Sequence, residues 1–69
     1  MRNDPKAMYG QALRQELDLR EGKALHLADA AGRLQRQGQA AMALAIRDMW
    51  RHNEVERIKL QAQLDAVNQ

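Results

Sequence analysis

The 69-residue chain contains no cysteine, serine, threonine or phenylalanine. Without cysteine there are no disulfide staples and no thiolate metal ligands. Without cysteine, serine or threonine the usual nucleophiles of covalent catalysis are missing, and three lysines on thin helices are poor substitutes. With one Trp, one Tyr and no Phe, any core must be built from Leu, Met, Ile, Val and Ala. Only Ile46, Val55, Ile58 and Val67 are β-branched and apolar, too few for a sheet. No run approaches the roughly 20 consecutive apolar residues of a membrane span. The opening Met1-Arg2-Asn3-Asp4-Pro5 lacks the apolar stretch of a secretory signal. A cytoplasmic location without membrane contact is therefore expected. Gly10, Gly22, Gly32 and Gly38 are scattered, so no glycine-rich phosphate loop is present.

What is abundant is Ala, Leu, Gln, Arg and Glu, all good helix formers. The richness in Ala, Arg and Leu suggests a GC-rich bacterial or phage genome. Eleven cations stand against nine acids, a net charge of +2. They interleave at helical spacing, as on a solvated helix face rather than a nucleic-acid arm. The i,i+3 and i,i+4 pairs Glu16–Arg20, Asp29–Arg33, Asp48–Arg51, Glu54–Arg57 and Glu56–Lys59 support helix.

Asp4-Pro5 reads as a helix start, Asp4 as cap and Pro5 as first residue. From there Leu13, Leu17, Ala24, Leu27, Ala31 and Leu34 form an apolar stripe, interrupted only by Arg20. One helix over residues 5–36 is expected, bent at Gly22 at most, with a three-helix chain broken there as the alternative. Gly38 in Arg36-Gln37-Gly38-Gln39 is the strongest turn signal. Continuing the first stripe past it would bury Asp48, His52 and Lys59. A second stripe, Met42, Ile46, Met49, Trp50, Asn53, Leu60, Leu64 and Val67, instead starts in a new phase. The expectation is an all-α antiparallel two-helix hairpin, one domain over residues 1–69, with a turn at 37–39 and a second helix over 39–67.

Folding about residue 38 sets Leu34 against Met42, Ala31 against Ala45, and Leu27 against Met49. It brings Leu17 to Leu60, Leu13 to Leu64 and Tyr9 to Val67. Arg20 then falls opposite Glu56, which predicts an ion pair, and Asn53 opposite Ala24, a buried amide that penalises wrong registers. The run Ala31-x-x-Leu34-x-x-x-Gly38-x-x-x-x-Ala43 resembles the inter-helix turn of a tetratricopeptide-type repeat. There is no second repeat, and Trp50 stands where that pattern wants a small residue, so no family is assigned.

Each helix carries a further apolar row on its reverse side: Met8, Ala12, Leu19 and Ala30, then Leu44, Val55, Ile58, Ala62 and Ala66. A helix with two apolar faces is buried on two sides. A homodimeric four-helix bundle with coiled-coil-like packing follows, Leu19, Leu44, Val55, Ile58 and Ala62 being the candidate face for self-association or a protein partner. His26 with Asp29 and His52 with Glu56 have ligand spacing but no Glu-x-x-His partner, so no metal or cofactor is expected. Between Asp29 and Asp48 the only charges are Arg33, Arg36 and Arg47, a thin candidate contact for anions or nucleic acid. The leading functional expectation is a non-catalytic adaptor, small chaperone or inhibitor. A nucleic-acid-associated regulator and a structural subunit of a larger helical assembly are the alternatives.

Overall fold

A computed structural model describes residues 4–69; Met1, Arg2 and Asn3, which open the stretch read for a signal, lie outside the described residues. The chain forms two α-helices, α1 (Pro5–Arg36, 32 residues) and α2 (Ala40–Val67, 28 residues), packed as an antiparallel hairpin with principal extents of 56 × 20 × 12 Å. The Asp4 carboxylate accepts the Lys6 N–H at 3.0 Å, satisfying one free donor of the first turn, with Pro5 behind it. The α1 helix runs unbroken through Gly22, so the three-helix alternative is not what forms. Space around Gly22 is open, and its weak helix propensity is outweighed by seam contacts on both sides.

Gly38 closes α1 with φ +75°, in the left-handed region. Its N–H donates to the Gln35 carbonyl at 3.1 Å, and the Gln39 N–H donates to that of Leu34 at 2.9 Å. This double bond pattern is the Schellman closure, and it reverses the chain within three residues. Arg33 and Arg36 in the last turn complement the helix dipole. The two glycines therefore predict opposite outcomes. Gly22→Ala should stabilise the fold by about 1 kcal/mol, whereas Gly38→Ala, forced to hold φ +75°, should cost about that much or more. Urea titration followed by circular dichroism measures both, and shifts of the same sign would contradict the turn position.

The seam advances in alternating steps of three and four residues. On α1 it is Gly10, Leu13, Leu17, Arg20, Ala24, Leu27, Ala31 and Leu34, each buried or half-buried. On α2 it is Ala43, Ile46, Trp50, Asn53, Arg57, Leu60, Leu64 and Val67, of which Trp50 remains 38% exposed. That regular pattern is the signature of coiled-coil packing between adjacent helices. At the open end Leu13, Leu17 and Leu64 form the buried cluster, with Leu60 and Val67 packed on it. Here the expected register holds to within a residue, except that Gly10 rather than Tyr9 meets Val67: a methyl group at Gly10 would sit 3.6 Å from Val67 Cγ1.

Near the turn the expected stripe is corrected. Ala43 is fully buried, while Met42 and Met49 are about half exposed and Ala45 faces outward. At position 43 a methyl group is fully enclosed by the facing helix, while the longer Met42 and Met49 side chains are left beside the seam. Size, more than hydrophobicity, selects the seam residue at this end.

Midway, the seam turns polar. Asn53 is 2% exposed; its amide Nδ2 donates to the Arg20 carbonyl at 2.7 Å, and Arg20 Nη1 donates back to Asn53 Oδ1 at 3.4 Å. The expected Arg20–Glu56 ion pair does not form, because Arg57 rather than Glu56 occupies the seam position. Glu56 turns to Lys59 at 3.5 Å, and Arg57 pairs with Glu54 at 3.2 Å. Of the pairs anticipated within helices, Asp29–Arg33 also forms, at 3.4 Å, whereas Glu16–Arg20 and Asp48–Arg51 do not. The buried amide expected at position 53 is present, satisfied by the backbone of the facing helix. Among the described residues no buried side-chain polar atom lacks a partner.

Candidate interaction surfaces

A two-helix seam has two flanks and two outer faces, and the large apolar residues it leaves outside are distributed over them. Among the described residues ten large hydrophobic side chains are exposed: Met8, Tyr9, Leu19, Leu25, Met42, Leu44, Met49, Trp50, Val55 and Ile58. Only four residues of comparable size, Leu13, Leu17, Leu27 and Leu64, are buried. Four more, Leu34, Ile46, Leu60 and Val67, are half-buried in the seam, so ten of these bulky side chains are exposed against eight buried or half-buried.

The candidate association face is placed as follows. Leu44 (61% exposed), Val55 (51%), Ile58 (58%) and the exposed Ala62 lie on the side of α2 turned away from the seam. Asp48 and Arg51 stand between Leu44 and Val55, so the row is apolar only over Val55, Ile58 and Ala62. Leu19 is 67% exposed but does not join them. It lies one helical turn before Lys23, on the flank where Lys23, Met49, His52 and Glu56 surround Asn53. Ile58 lies one turn after Glu54, on the opposite flank. The structure brings the four α2 residues to one helix side and leaves Leu19 apart.

That opposite flank is the surface the sequence pattern did not reveal. Two shallow grooves lie side by side and share Ala28 and Trp50. One is lined by Leu27, Ala31, Gly32, Arg47 and Arg51, the other by Glu21, Ala24, Leu25, Glu54 and Arg57. Trp50, at a seam position yet 38% exposed, lines both grooves together with Ala28. Leu25, 75% exposed, stands next to it. Knowing that the α2 seam passes through Ala43 and Arg57 would have exposed this flank, because Leu25, Leu44, Trp50 and Ile58 then fall on one side.

The candidate cationic residues separate. Arg33 is held by Asp29 on the outside of α1. Arg47 lines the Trp50 groove, and Arg36 reaches back along its own helix so that Nη1 lies 3.4 Å from where a methyl on Gly32 would stand. Arg51, which was not singled out, joins Arg47 there. Arg36, Arg47 and Arg51 make no ion pair among the described residues. Both histidines are exposed, and His52 Nδ1 lies 3.0 Å from the Asp48 carbonyl, a geometry in which the ring nitrogen donates. No group of three or more His, Asp or Glu residues is arranged to hold a metal ion among the described residues. Nor is any helix among them long and apolar enough to cross a membrane.

Compared with protein-family models, curated proteins and solved structures, the chain matches none of them. Its class is set by architecture alone: an antiparallel helical hairpin with a polar layer in its seam and apolar flanks.

Proposed function

We propose that the chain is a non-catalytic protein–protein interaction module that works as a homodimer, two hairpins forming a four-helix bundle, and presents its remaining helix faces to a further protein as adaptor, small chaperone or inhibitor. The observation that carries this reading is apolar exposure: among the described residues ten large hydrophobic side chains are exposed, against four buried and four half-buried. Small folds with one thin seam need additional burial to be stable, and association is the usual source. The absence of cysteine, serine and threonine from the sequence is consistent with binding rather than covalent catalysis. As a subunit of a larger helical assembly the same hairpin would use the same faces.

Introducing a charge on the outer side of α2 tests the reading. Ile58→Asp should weaken or abolish self-association while leaving the helical signal in place, since the carboxylate would be stranded in an apolar contact. Sedimentation velocity on the wild type and the variant reads the result. An unchanged sedimentation coefficient would remove Ile58 from the interface.

The nucleic-acid reading has one observation in its favour: Arg36 and Arg47 are in no ion pair among the described residues, and Arg47 lines a groove with the exposed Trp50. Three cations remain a small electrostatic footprint. Little specific binding is expected at physiological ionic strength, and Arg33→Gln, Arg36→Gln and Arg47→Gln together should change it little. Tight, steeply salt-dependent binding of a defined oligonucleotide, lost in that triple variant, would reverse the ranking.

A further inference from the structure

The outer side of α2 carries a second stripe with the same alternating steps of three and four residues as the seam: Ala41, Leu44, Asp48, Arg51, Val55 and Ile58, every one exposed. That spacing is the one by which a helix lies along another helix. Two charges stand in the middle of the stripe. Asp48 and Arg51 are one turn apart and line a shallow groove together with Val55, yet neither is in an ion pair among the described residues. The order of residue types, two apolar, an acid, a base, two apolar, complements itself when it is run antiparallel against a copy. Leu44 then meets Val55, Ala41 meets Ile58, and Asp48 meets Arg51. The neighbouring alignments fail. Parallel and in register, Asp48 would meet Asp48 and Arg51 would meet Arg51. Antiparallel but displaced by one layer, Asp48 would face Ile58 or Leu44, and Arg51 would face Val55 or Ala41.

We propose that this stripe is the dimer interface, two copies docking α2 against α2 with their turns at opposite ends, so that Asp48 of each copy faces Arg51 of the other. The inference rests on the homodimer reading above and adds to it which surface is used, in which orientation and in which register. A two-fold axis perpendicular to the helices, level with the Met49–Trp50 peptide bond, makes every contact isologous, as closed symmetry requires. Each charge then has its opposite, which offsets the cost of enclosing it between apolar layers and penalises misaligned docking. Beside the stripe, Arg47 of each copy comes near Glu54 of the other by the same symmetry. The contact spans residues 41–58, about 27 Å of helix, a small interface that suits a dimer able to dissociate on dilution. The α1 helices lie outermost, so the four helices run α1, α2, α2, α1. Leu19 and Leu25, both on α1, stay outside the contact.

A charge-reversal cycle tests surface, orientation and register together. Asp48→Arg sets an arginine against Arg51 at both contacts, and Arg51→Asp sets carboxylates together in the same way. Both positions are exposed, so helicity by circular dichroism should be retained. Each single variant should self-associate about tenfold more weakly, or worse. The double variant, Asp48→Arg with Arg51→Asp, exchanges the two charges and should regain wild-type association to within about threefold. Sedimentation equilibrium on the wild type and the three variants reads the cycle. A dimeric wild type whose association survives either single reversal would refute the stripe and leave the homodimer reading intact. Single variants that dissociate, with no rescue in the double variant, would refute the opposition of positions 48 and 51 and with it the orientation. A monomeric wild type would refute the homodimer and this interface together.

Discussion

Replacing Leu17 with Ala is expected to remove most of the hairpin's stability. Leu17 is 5% exposed and shares a fully apolar buried cluster with Leu13 and Leu64, closed over by Leu60 and Val67. Truncating such a side chain loses its transfer free energy and leaves a cavity, costing about 2–5 kcal/mol. A thin two-helix seam collapses into the gap more readily than a globular core, so the lower half of that range applies. A chain of this size rarely has more than about 3–5 kcal/mol to lose. The urea midpoint of Leu17→Ala should therefore fall close to zero denaturant. Leu19→Ala, two residues away but 67% exposed, should shift it by no more than about 0.5 kcal/mol. Equal effects at the two positions would contradict the seam assignment.

The second large effect is expected at Asn53, where two variants should move in opposite directions. In Asn53→Asp the atom that donates to the Arg20 carbonyl at 2.7 Å becomes an oxygen with nothing to donate. Arg20 Nη1 can still reach the other carboxylate oxygen, so the charge is partly compensated, but a buried oxygen faces a carbonyl. The net loss should be about 1–3 kcal/mol. Asn53→Leu removes the polar group altogether. The Arg20 carbonyl lies within α1 and keeps its helical hydrogen bond, and Arg20 Nη1, half-buried at a surface groove, exchanges a long 3.4 Å bond for water, so stability should stay level or rise. What Leu should lose is register, because the amide is the one contact in the seam that fits a single alignment of the helices. Broadened amide resonances in the NMR spectrum of Asn53→Leu, beside an unchanged or higher urea midpoint, are the expected outcome. A sharp spectrum would mean that the turn alone fixes the register.

The hairpin was legible because its determinants are local. Asp4-Pro5 and Gly38 mark helix limits through capping and a left-handed φ, and the phase break at Gly38 distinguishes a turn from a continuous rod. The open-end pairing of Leu13 and Leu17 with Leu60 and Leu64 followed from turn position and helical rise. The turn-end seam was not legible, because hydrophobicity ranks Met42 and Met49 above Ala43. What decides there is how much room the facing helix leaves at each position, which no single position encodes. The same shift explains the missed ion pair: rotating α2 so that Ala43 is buried brings Arg57 into the seam, carries Glu56 outside, and leaves Arg20 to Asn53. It also explains why Leu19 is parted from Ile58 and why Leu25 and Arg51 were not assigned to a common flank. Residues on the flanks of a seam change sides when the seam turns by one position.

The central claim is that the hairpin completes its burial against another copy of itself. Sedimentation equilibrium of the wild-type chain over a range of micromolar concentrations tests it most directly. The account predicts a mass twice the 7.9 kDa of one chain, falling toward the monomer value on dilution as mass action requires. A concentration-independent mass of one chain, with the helical signal intact, would contradict it.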